Sequence, residues 1–74
     1  MYEHMRGLRE DKDLSQEQIA ELLRVHQTTY SDYGRGRVNI PVPALCRLAE
    51  FYGTSVDYLV GLTDDPRPYP RRKP

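Results

Sequence analysis

Residues 16–37, QEQIAELLRVHQTTYSDYGRGR, decide the fold. Two helical patterns meet there across a turn of a few residues. In the first, Ile19, Leu22 and Leu23 supply an apolar stripe, and Ala20 is small enough to let a neighbouring helix approach. Arg24 occupies the turn and Val25 anchors it; a left-handed backbone at Arg24 costs roughly 1 kcal/mol. The second pattern predicts a helix from Gln27 to Tyr33, stopped by Gly34 and Gly36. At about 100° per residue, Gln27, Thr28, Ser31, Asp32 and Arg35 fall within one arc of roughly 140°. Thr29, Tyr30 and Tyr33 take the opposite side. One face is built to pack and the other carries short polar side chains free to hydrogen-bond. That is the layout of a helix held on a small core while it reads base edges in a DNA major groove.

Outward from this stretch, Ser15 opens the first of the two helices. Ser15-Gln16-Glu17-Gln18 fits a capping box, and Glu17 favours the positive end of the helix dipole. Before it, Met1, Met5 and Leu8 recur at spacings of four and three, predicting a helix from Tyr2 to Asp11 or Lys12, with Leu14 tucked into the core. After it, Asn39-Ile40-Pro41-Val42 reads as an extended link. A fourth helix is expected to begin at Pro43, with Leu45, Leu48, Ala49 and Tyr52 inward and Gly53 at its end. Ser55 then caps a short fifth helix that buries Val56 and Leu59 and closes at Gly61. The expectation is an all-α, five-helix domain over residues 1–62. Residues 63–74, with four prolines and no apolar periodicity, are expected to form a flexible Pro/Arg-rich tail.

The 74 residues suffice for one small domain. One cysteine excludes an internal disulfide and suits a reducing compartment. No stretch is apolar enough for a signal peptide or a membrane span, so a cytoplasmic location is expected, with association to the nucleoid when bound to DNA. Net charge is zero, with 11 Lys or Arg against 11 Asp or Glu. The halves differ: residues 1–34 carry four basic against seven acidic side chains, and residues 35–74 seven against four. Positive charge begins where the polar-faced helix ends, which suits few, well-placed phosphate contacts rather than a broad basic surface.

The sequence resembles the lambda-repressor-like, or XRE-type, helix-turn-helix family. The resemblance rests on Leu8-Arg9-Glu10, Leu14-Ser15-Gln16 with Ile19-Ala20, Tyr33-Gly34-Arg35-Gly36, Ile40-Pro41, Leu48-Ala49 and Ser55 to Gly61, and covers residues 2–62. It implies that Gln16 touches a phosphate and supports the recognition helix, that Gln27 and Thr28 read bases, and that Ser31 and Asp32 face the groove. Gln suits the paired acceptor and donor of adenine, and Asp can accept from the amino group of cytosine. Arg35, Arg37 and Asn39 fall where the loop after the recognition helix follows the backbone. The resemblance also implies a homodimer on a two-fold symmetric operator, with its contact in the region from Tyr58 to Leu62. Two residues depart from the family. Gly34 stands where relatives carry a Glu paired with the counterpart of Arg9, which leaves Arg9 unpartnered. His26 stands where a Ser or Thr cap is usual.

No nucleophile, base and orienting group suggest a catalytic site, and His4, His26 and Cys46 lack metal-ligand spacing. Cys46, beside the stripe of the fourth helix, is expected to be partly buried, and no ligand pocket or cofactor is expected. The reading is a DNA-binding transcriptional regulator, more a repressor than an activator. Its rival is an antitoxin or adaptor that uses the same fold to grip a protein.

Overall fold

Ser15 sets the entry to the central pair of helices as its sequence context predicts. Its side chain accepts from the Gln18 amide at 3.1 Å, while the Gln18 side chain accepts from the Ser15 amide at 2.8 Å. Both otherwise unpaired donors at this helix start are thereby satisfied. The structure is a computed structural model that describes residues 2–69. Its elements are α1 (Glu3–Asp11), α2 (Gln16–Leu23), α3 (Gln27–Arg35), α4 (Val42–Tyr52) and α5 (Val56–Leu59). The described residues hold no strand, in agreement with the all-α expectation. No helix among them is long and apolar enough to cross a membrane.

All five helices end in the same way. In each, the backbone amide after a left-handed residue reaches back five positions: Leu14 to Arg9, Val25 to Ala20, Arg37 to Asp32, Thr54 to Ala49 and Leu62 to Asp57. The left-handed residues are Asp13, Arg24, Gly36, Gly53 and Gly61. This closure satisfies carbonyls at the helix end and turns the chain sharply, so five short helices fold onto one core. Arg24, at φ 58°, adopts the strained conformation that the tight turn requires.

The core consists of Met5, Ile19, Ala20, Tyr30, Tyr33, Leu48, Ala49 and Leu59, with Leu8, Leu14, Leu23, Val25, Ile40, Tyr52 and Val56 packed around it. α2 packs on α3, α4 on α5, and α1 on α5. The stripes read from α1, α2, α4 and α5 supply most of these residues, and α3 adds Tyr30 and Tyr33. Leu22 and Leu45, expected inward, lie outside this cluster; Met1 lies outside the described residues.

Three sequence expectations need correction. α3 runs two residues past Tyr33, through Gly34 to Arg35. Gly34 keeps an ordinary helical φ, and Gly36 alone takes the left-handed cap, at φ 73°. Arg35 therefore sits on the helix and not in the loop. α4 begins one residue early, at Val42 after a Pro41 cap, so Pro43 takes the second helical position, where its missing N–H still costs no bond. Cys46 is exposed rather than partly buried. The inward register of Leu48 and Ala49 turns it to solvent.

Beyond α5 the chain lies along the domain through residue 69. The Thr54 hydroxyl donates to the Pro66 carbonyl at 2.7 Å, and the Tyr69 hydroxyl donates to Asp57 at 2.8 Å. His4 Nε2 lies 3.0 Å from Asp64 Oδ1, and its ring stacks on Tyr58 at 4.0 Å between centroids. The expected basic end at Arg71, Arg72 and Lys73 lies outside the described residues.

Candidate nucleic-acid interface

Burial of two tyrosines fixes the rotation of α3. Tyr30 and Tyr33 are 5% and 6% exposed, so the arc opposite them faces away from the core. Gln27, Thr28 and Arg35 are exposed, and Ser31, inside the arc, and Asp32, at its edge, are half-buried. Gln16, the first residue of α2, is half-buried; Arg37 and Asn39, in the link after α3, are exposed. Five of the eight candidates thus share one face of one helix. Gln16 precedes them at the start of α2, and Arg37 and Asn39 follow.

None of these eight side chains hydrogen-bonds to another described residue. The donors and acceptors of Gln27, Thr28, Ser31 and Asp32 are therefore available to a partner. The cations Arg35 and Arg37 flank the αL cap at Gly36 that ends the helix. At the other end, His26 gives no side-chain cap, as its identity implied, so its side chain pairs none of the first amides of α3.

Behind the polar face lies a group that the sequence reading missed. Arg9 is not unpartnered: its Nη1 donates to the Leu14 carbonyl at 2.8 Å and ties α1 to the turn before α2. Burial raises the ionisation of the Tyr30 phenol above the usual value near 10, and the Arg9 guanidinium beside it pulls the other way. Burial also raises that of Tyr52, with Tyr30 adding to the effect and Arg9 opposing it. The Tyr52 hydroxyl is buried without a hydrogen-bond partner among the described residues.

A cleft of about 440 Å³ opens beside Arg9, where no pocket was expected. Tyr2, Glu3, Arg6, Arg9, Gln16, Tyr30, Ser31, Gly34 and Arg35 contribute to its wall. The sequence signal was the glycine in the polar-faced helix; what it opens depends on which α1 residues lie opposite. Among the described residues no cluster of His, Cys, Asp and Glu could hold a metal ion.

Comparison with known proteins adds a family. A profile described as a helix-turn-helix domain matches residues 3–60. Over 71 residues the chain is 39% identical to YobD, an uncharacterized HTH-type transcriptional regulator of Bacillus subtilis (strain 168), covering 96% of this chain and 63% of that protein. Over 56 residues it is 36% identical to RstR, the cryptic phage CTXphi transcriptional repressor of Vibrio cholerae, covering 76% of this chain and 50% of that protein. The chain therefore spans less than two thirds of the length of either relative. No solved structure matches it significantly.

Proposed function

The chain belongs to the helix-turn-helix family, in its lambda-repressor-like (Cro/XRE) branch, and from that premise we propose that it binds double-stranded DNA sequence-specifically and represses transcription. The observation that carries the reading is the face of α3. Its short polar side chains make no side-chain hydrogen bond among the described residues, while Tyr30 and Tyr33 lock the helix from behind. In this reading α3 enters the major groove. Gln27 and Thr28 meet base edges, Ser31 and Asp32 line the groove, and Gln16, Arg35, Arg37 and Asn39 hold phosphates on either side.

Affinity in so small a module rises when two copies bind half-sites about one helical turn apart. The surface after α5 suits that contact, because Leu62 is 77% exposed. Tyr58 is less available, since its ring is stacked on His4. The protein has no catalytic role in this reading, and its working place is the cytoplasm, at the nucleoid when DNA is bound.

Net neutrality and the acidic N-terminal half favour a second reading, in which the domain grips a protein as an antitoxin or adaptor does. The readings separate by mutation. Alanine at Gln27 and Thr28 abolishes the activity of a DNA reader, whereas changes around Leu62 abolish that of a protein binder. Selection from a randomised duplex pool tests the first reading: it recovers a short, two-fold symmetric motif. Enrichment of no motif, with weak binding lost at moderate salt, refutes it.

A further inference from the structure

The geometry points to the cleft between α1 and α3 as a binding site for a small carboxylate-bearing molecule. Gly34 lines the cleft, and a Cβ added there meets nothing within 4 Å, so the space beside it is open. Arg6, Arg9 and Arg35 contribute to its wall, with Glu3 as the one carboxylate among the lining residues. Arg6 is engaged by Glu10 at 3.4 Å. Arg9 and Arg35 have no carboxylate within reach among the described residues. The Arg9 guanidinium donates to the neutral Leu14 carbonyl and lies beside the neutral Tyr30 hydroxyl, so no anion among the described residues compensates its charge.

A guanidinium carries five N–H donors in a planar fork, and a carboxylate accepts two of them in parallel. With Nη1 committed to Leu14, Arg9 keeps donors for a ligand, and the Ser31 hydroxyl and Gln16 amide supply neutral donors on the same wall. Two uncompensated cations at a concave surface concentrate positive potential there. The volume of about 440 Å³ lies at the lower end of the range for small-molecule sites, which suits a compact metabolite and not a polymer. Gln16, Ser31 and Arg35 belong both to this site and to the surface assigned to DNA, but the assignment does not require that reading, and its test contains no DNA.

The test is an NMR titration of the full, isotope-labelled chain with sodium succinate, against sodium chloride at matched ionic strength and against inorganic phosphate. Succinate should produce saturable shifts centred on Arg9, Tyr30 and Gly34, with dissociation in the millimolar range. Gly34→Glu, whose own carboxylate fills the cleft, should abolish them. Arg35→Gln, a change at an exposed position, should weaken binding about tenfold by removing a charge-assisted bond. Equal shifts with chloride, undiminished binding in either variant, or tighter binding of phosphate than of succinate would overturn the assignment.

Discussion

Residue 34 is where a single change reports on both the packing of α3 and the state of Arg9. Gly34 lies inside α3 at an ordinary helical φ, and an added Cβ meets nothing within 4 Å. Gly34→Ala therefore brings no steric cost. It removes the backbone entropy that a helical glycine loses on folding, a gain of about 0.5–1 kcal/mol. Gly34→Glu gains slightly less from propensity, because Glu is a somewhat weaker helix former than Ala. Its carboxylate then reaches the cleft that Arg9 lines, where a partly exposed pair contributes about 0.5–1 kcal/mol. Against this, an acidic side chain in the last helical turn faces the negative end of the dipole and loses about 0.3–0.5 kcal/mol. The sum is about 1 kcal/mol of added stability for Gly34→Glu. That lies at the lower edge of the 1–2 kcal/mol that propensity and pairing alone give, the dipole making the difference.

Urea unfolding followed by circular dichroism reads this directly. With a slope of about 1 kcal/mol per molar urea for so small a domain, the midpoint should rise by about 1 M. Repeating the substitution in an Arg9→Met background isolates the pair, since the cycle removes propensity and dipole effects common to both backgrounds. A lower midpoint for Gly34→Ala would refute the helical placement of residue 34. A gain for Gly34→Glu that is the same with and without Arg9 would refute the pairing.

Three further outcomes follow from the fold. Ser15→Ala removes the capping box of α2 and should cost about 1 kcal/mol, whereas His26→Ser supplies the missing cap of α3 and should add a similar amount, both read as shifts in the urea midpoint. Tyr52→Phe deletes a buried hydroxyl that has no partner, so the melting temperature should hold or rise, by an amount corresponding to about 1 kcal/mol; a clear fall would mean that the hydroxyl is bonded. Alkali should destabilise the domain. Folding raises the ionisation of Tyr30 and Tyr52 above the usual value near 10, chiefly by burial, so stability is complete below pH 10 and falls as the unfolded chain ionises first above it. Tyr52→Phe should make that fall shallower, and an identical slope in the variant would refute its share.

The parts legible in the sequence were those that local chemistry fixes. Ser15 and Gln18 announce the start of α2 within four residues, and the stripes of α1, α2, α4 and α5, with Tyr30 and Tyr33 on the packing face of α3, place most of the core by periodicity. The end of α3 was harder, because Gly34 and Gly36 are chemically identical. Only the register set by Tyr30 and Tyr33, and the bond from Arg37 to the Asp32 carbonyl, select Gly36 as the cap. The partner of Arg9 was hidden for another reason: it is the backbone carbonyl of Leu14, and a carbonyl carries no residue-type signal. The cleft joins α1 to α3, and sequence periodicity says nothing about which side chains meet across helices. The same holds for the bond from Thr54 to Pro66, which ties the chain after α5 to the domain. The polar face of α3 was legible because one helix contains most of it, but its freedom from internal partners emerged only with the fold.

The claim that this face reads DNA is tested most directly by equilibrium binding to the duplex recovered by selection, at two salt concentrations, for the wild-type chain and a Gln27→Ala, Thr28→Ala double variant. If the account holds, the wild type prefers the selected duplex to a scrambled one. The double variant loses that preference, by about 1–3 kcal/mol for each good base contact, while its salt dependence stays nearly unchanged because the phosphate contacts remain. An unchanged preference in the double variant would contradict the account, and so would a wild type that binds both duplexes alike.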